Sequence, residues 1–127
     1  MRRVCVFAGS GIGNDPAFAT AARELGAALA ARDLALVFGG EAAGLMGAVA
    51  DGTVEAGGEA IGVVPNFLAD TGTPHPGAEI RLVDTLAERK LLMAELSLGF
   101  VALPGGLGTL DELTEMVEAA DPVHGSA

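Results

Sequence analysis

The strongest constraint on this chain is a repeated pattern of short apolar runs, most of them stopped by glycine or proline and most separated from the next by a helical segment. Val4 to Ala8, Leu34 to Phe38, Ala60 to Val64, Ile80 to Val83 and Phe100 to Leu103 are nearly free of polar residues. Runs this short read as strands, and strands this apolar are buried on both faces. Between them the spacing predicts helices. One covers Ala17 to Ala31, with Asp15 as N-cap and Pro16 at the first helical position. A second covers Leu45 to Ala56 and is closed by Gly57-Gly58. A third, capped by Asp84 or Thr85, runs to about Leu98, and a fourth from Leu110 to about Ala119. Asn66 to Ala78, which holds Pro74 and Pro76, reads as an irregular surface loop. This alternation predicts an α/β fold: a Rossmann-like, doubly wound parallel sheet with helices on both faces. No repeat and no dividing linker is visible, so residues 1–127 are expected to form a single domain.

Composition narrows the function. The net charge is −10, from seven basic and seventeen acidic residues. No basic stripe is present for a nucleic-acid groove or an anionic membrane surface. With five Phe and no Trp or Tyr, base stacking has little to work with. No apolar run reaches the length of a membrane span, and no secretory signal is visible. The single cysteine, Cys5, sits in an apolar run and reads as a small buried hydrophobe. A cytoplasmic location is expected.

Ligands in an open α/β sheet bind beyond the carboxyl ends of the strands. Glycine-rich turns follow the first, second and fifth predicted strands. Gly9, Gly11 and Gly13 do not form the dinucleotide fingerprint, because Asn14 stands where its last glycine belongs. No Gly-Lys-Ser/Thr of a P-loop occurs. The first two turns read equally well as tight connections or as ligand contacts. The third is more specific. Pro104-Gly105-Gly106-Leu107-Gly108-Thr109 opens a predicted helix, where free N–H groups and the helix dipole favour an anion such as phosphate. Glu112 falls in the first turn of that helix. It reads either as a dipole-stabilising acid or as a group with a task beside the phosphate.

Arg89-Lys90 is the other notable feature, and Lys90 is the only lysine. The pair reads either as surface charge balancing Asp84 and Glu88 or as part of an anion site. Arg89 and Met93 share a helix face at i, i+4, which sets a guanidinium beside an apolar surface suited to a base.

Together these motifs resemble the LONELY GUY family of cytokinin riboside 5′-monophosphate phosphoribohydrolases, often mislabelled lysine decarboxylases. Pro104 to Glu112 matches its P-G-G-x-G-T-x-x-E hallmark, and Arg89-Lys90 its R-K pair. Val4 to Ser10, Leu36 to Gly40 and Gly44 to Ala50 also agree. The resemblance implies hydrolysis of the N-glycosidic bond of an adenosine 5′-monophosphate, N6-substituted or not. It implies Arg89 and Glu112 as the catalytic pair. Gly105, Gly106, Gly108 and Thr109 would hold the phosphate, and Ser10, Gly40, Lys90 and Met93 would line the substrate site. No metal or cofactor is implied. A homodimer or higher homo-oligomer is expected.

The chain departs from the family pattern at Glu41, where glycine is usual, and at Leu86-Ala87, where methionine and histidine are common. It also reads as C-terminally shortened, so Gly99 to Leu103 is expected to form a sheet edge covered by another surface. His75 and His124 read as bystanders. The alternative function is a non-catalytic carrier of a phosphate-bearing ligand on the same scaffold, of the molybdenum-cofactor-carrier type. A pyridoxal-phosphate decarboxylase using Lys90 is a weaker third reading.

Overall fold

A computed structural model describes residues 2–8, 16–69 and 73–103. The elements are β1 (Arg3–Phe7), α1 (Pro16–Ala31), β2 (Ala35–Phe38), α2 (Gly44–Glu55), β3 (Ala60–Pro65), α3 (Asn66–Ala69), β4 (Glu79–Val83), α4 (Leu86–Leu96) and β5 (Gly99–Ala102). Among the described residues the strands form one sheet in the order β4-β3-β2-β1-β5, with every neighbouring pair parallel. The chain winds outward from β1 to β4, then crosses back to place β5 on the other side of β1. This is the expected Rossmann-like α/β architecture, with its reversal between β1 and β5.

Alternation along the strands sorts the core into two layers. Val6, Leu36 and Phe38 face α1 and α2 and pack with Ala22, Leu29, Leu45 and Val49. Cys5, Phe7, Val37, Ile61 and Val63 face the other way and pack with Met93 of α4. β1, β2 and β3 thus bury both faces, which is why none of them shows a polar-apolar alternation.

α1 and α2 meet closely because both carry glycine at the crossing. A Cβ on Gly26 would overlap Val49 O, and one on Gly52 would overlap Arg23 O. Thr53 lies in the same seam, fully buried, with its hydroxyl 3.2 Å from Gly26 O and 3.0 Å from Val49 O. A hydroxyl carries one proton, so these two carbonyls share it. Thr53→Val keeps the volume and removes that bond. Urea unfolding should show a loss of about 1–2 kcal/mol.

The boundaries differ from the sequence expectations in instructive places. Pro65 closes β3 instead of stopping it one residue earlier, pairing with Val83. Only its missing N–H is lost to the ladder. The 66–78 stretch begins with a single helical turn, α3, and Asn66 Nδ2 donates to Asp84 Oδ1 at 2.7 Å. α4 ends at Leu96 instead of Leu98 because Ser97 turns extended and Leu98 N–H already donates to Arg3 O at 2.8 Å. β5 is an edge strand among the described residues. The predicted fourth helix lies outside them. No helix among them is long and apolar enough to cross a membrane.

Candidate active site

The site begins with how α4 starts. Thr85 is its N-cap, accepting from Glu88 N–H at 3.0 Å, while Glu88 Oε2 reaches back to accept from Asp84 N–H at 3.1 Å. This reciprocal cap fixes the first helical turn, and Arg89 belongs to that turn. Thr85→Ala should lower stability by about 1 kcal/mol, read as a lower urea midpoint.

Arg89 is not a surface charge. Its Nε donates to Val63 O at 2.9 Å and its Nη2 to Gly39 O at 3.1 Å. Val63 belongs to β3 and Gly39 directly follows β2. The guanidinium therefore spans the carboxyl ends of two central strands, where α/β folds bind ligands. Bonds from a charged donor are among the stronger ones and hold the planar fork in one orientation.

Gly39 makes room for it. An added Cβ there would lie 2.5 Å from Arg89 Nη2 and 2.8 Å from Met46 Sδ. Gly40 is glycine for another reason. Its φ is +90°, and an added Cβ would sit 2.6 Å from Val64 Cγ2. Sequence reasoning named Gly40 and missed Gly39, Val63 and Met46, whose signals are a backbone carbonyl, a missing side chain and a thioether.

On α4, Met93 lies one turn beyond Arg89 on the same sheet-facing side. It is 3% exposed, packed with Cys5, Phe7 and Val63. Lys90 is half-buried on the next position around the helix.

His75 is buried, not on the surface of a loop as the sequence suggested. It is 6% exposed, its Nε2 lies 2.6 Å from Asp51 Oδ1, and its Nδ1 accepts from Gly77 N–H at 3.0 Å. Nδ1 as acceptor makes Nε2 the protonated, donating nitrogen of the neutral ring. Among the described residues no group of three or more His, Cys, Asp or Glu is arranged to hold a metal.

Ser10, Gly105, Gly106, Gly108, Thr109, Glu112 and His124 lie outside the described residues. The strand ends that precede the two glycine-rich stretches are described. Phe7 of β1 pairs with Ala102 of β5, and Leu103 N–H donates to Phe7 O at 2.8 Å. Both stretches leave from neighbouring strand ends, at the reversal of the sheet. β5 stands two strands from β2, about 10 Å across the sheet from Gly39.

Residues 46–122 match the family described as possible lysine decarboxylase. The chain belongs to this family, LONELY GUY. A probable cytokinin riboside 5′-monophosphate phosphoribohydrolase of Oryza sativa subsp. japonica is 48% identical over 117 residues, covering 91% of this chain and 52% of the relative. A cytokinin riboside 5′-monophosphate phosphoribohydrolase of Arabidopsis thaliana is 42% identical over 117 residues, covering 91% and 55%. The chain thus spans about half the length of the curated LONELY GUY relatives it matches. Among solved structures, the molybdenum cofactor carrier protein of Chlamydomonas reinhardtii superposes with a TM-score of 0.79 at 25% identity, covering 93% of this chain and 71% of that one. The molybdenum cofactor binding protein of Rippkaea orientalis shares the fold, with a TM-score of 0.78 at 23% identity and coverage of 96% and 74%.

Proposed function

We propose that this LONELY GUY chain hydrolyses the N-glycosidic bond of adenosine 5′-monophosphate or an N6-substituted form, releasing the base and ribose 5-phosphate. The observation that carries this reading is Arg89, held by Val63 O and Gly39 O at the carboxyl ends of β3 and β2. A guanidinium fixed before substrate arrives costs little to organise during the reaction. The bond from C1′ to the base nitrogen breaks through an oxocarbenium-like state, and water supplies the new C1′–O bond. In this reading Glu112 stabilises that cationic sugar or orients the water. Arg89 anchors negative charge beside it or holds Glu112. Gly105, Gly106, Gly108 and Thr109 seat the 5′-phosphate, and Ser10, Gly40, Lys90 and Met93 border the nucleotide. The activities of the relatives at 42–48% identity support the hydrolase over the carrier reading, which rests on structures near 25%.

The same reading makes residues 1–127 one nucleotide-binding domain, working in the cytoplasm as a homodimer or larger homo-oligomer. Leu86 and Leu91 lie exposed on α4, which suits a further surface packing there; light scattering after size exclusion measures the assembly. The activity test is direct. Purified protein incubated with adenosine monophosphate should release adenine, seen by chromatography, and should leave adenosine intact. Glu112→Gln should abolish that release. A folded parent protein that yields no base from either the plain or the N6-substituted monophosphate refutes the hydrolase.

A further inference from the structure

His75 is a buried titratable side chain with no part in the chemistry above, yet its contacts converge on the turn that holds Arg89. Its backbone N–H donates to Gly40 O at 2.8 Å. Two residues earlier, Thr73 O accepts from Ala42 N–H at 3.0 Å, and Glu41 and Pro74 form an antiparallel bridge. The 73–75 segment therefore lies along residues 40–42 as a short backbone clamp. The His75 ring holds that clamp down. Its Nε2 donates to Asp51 of α2, its Nδ1 accepts from Gly77 N–H, and its edge meets the ring of Phe38 at a centroid distance of 6.3 Å. Asp51 is braced in turn by Arg23 of α1 at 3.3 Å. Gly39, whose carbonyl accepts from Arg89, directly precedes the clamped residues.

We propose that His75 is a positioning residue: it locks the 73–77 segment over the Gly40–Ala42 turn and so fixes the Gly39 carbonyl that orients the Arg89 guanidinium. The assignment of Arg89 to the reaction rests on the hydrolase reading; the positioning itself does not. The ring suits the task because one rigid side chain supplies a donor to α2 and an acceptor to its own loop; alanine supplies neither, and glutamine carries both on one flexible terminal amide instead of on opposite sides of a ring. Gly39 and Gly40 carry no side chain that packing could hold, so their path depends on such backbone contacts.

The test reads Arg89 directly. Solvent exchange of the Arg89 Nε–H, identified by its loss in Arg89→Lys, is followed by NMR in the parent, His75→Ala and His75→Gln. Exchange should quicken about tenfold or more in His75→Ala and less in His75→Gln, which keeps a donor toward Asp51, while amides of α1 and α2 hold their parental rates. If His75→Ala does not fold, His75→Gln carries the comparison. Parental exchange at Arg89 in a folded variant overturns the proposal. So does uniform quickening that includes α1 and α2, since that marks general loosening. Turnover of adenosine monophosphate is measured alongside. A fall in kcat larger than any rise in KM supports the link to catalysis, and a rise in KM alone overturns it. If the parent releases no adenine, the hydrolase reading fails and the exchange comparison still decides the positioning.

Discussion

Replacing Arg89 with alanine should cut adenine release from adenosine monophosphate by about 10²- to 10⁴-fold, the range for removing a positioned group that acts on developing charge. The variant loses the guanidinium and leaves Val63 O and Gly39 O without their donors. Arg89→Lys should recover little. A lysine offers one ammonium on a flexible stem and cannot reproduce a planar fork that reaches two carbonyls on different strands. Steady-state kinetics on both variants, with circular dichroism to confirm folding, provides the check. Turnover within a few-fold of the parent in folded Arg89→Ala would remove this residue from the mechanism.

The largest effect on stability should come from the seam between α1 and α2. Gly52→Ala would drive a methyl into Arg23 O, and Gly26→Ala another into Val49 O. Both obstacles are backbone, so no rotamer change relieves them, and the helices must move apart. Each substitution should cost roughly 3 kcal/mol, at the upper end for overpacking. Gly57→Ala is the control. It has nothing within 4 Å of the added Cβ and only a positive φ of +85° to oppose it, so its cost should be about 1 kcal/mol. Chemical unfolding of the three variants separates close packing from backbone conformation. Equal losses would mean that the helix seam is more compliant than its geometry implies.

The elements were legible from local chemistry. Apolar runs located β1 to β5 to within a residue or so, and Asp84-Thr85 announced the start of α4, with Thr85 the cap. What local pattern cannot carry is which strands neighbour each other. The placing of β5 beside β1 follows from contacts across nearly the whole chain. The candidate site divides the same way. Arg89 stood out as a cation in an acidic chain, but its anchors, Gly39 O and Val63 O, are main-chain atoms far away in sequence. The burial of His75 was not legible because its neighbours Pro74, Pro76 and Gly77 signal a surface loop. Its hydrogen-bond partner is Asp51, 24 residues away on α2. The glycine-rich stretch from Pro104 was the clearest motif in the sequence, and it lies outside the described residues.

The interior position of β1, between two strands far apart in sequence, bears on how the protein is made. Its partners are β2 on one side and β5 on the other. During synthesis the first partner emerges soon, and the second only after every other described element has left the ribosome. Until then a nascent chain holds an apolar strand with one row of amides and carbonyls unclaimed. Parallel pairing over such a separation is slow to form, and an unclaimed strand invites association between unfinished chains. Chaperone demand should therefore peak in the interval between the emergence of β4 and that of β5.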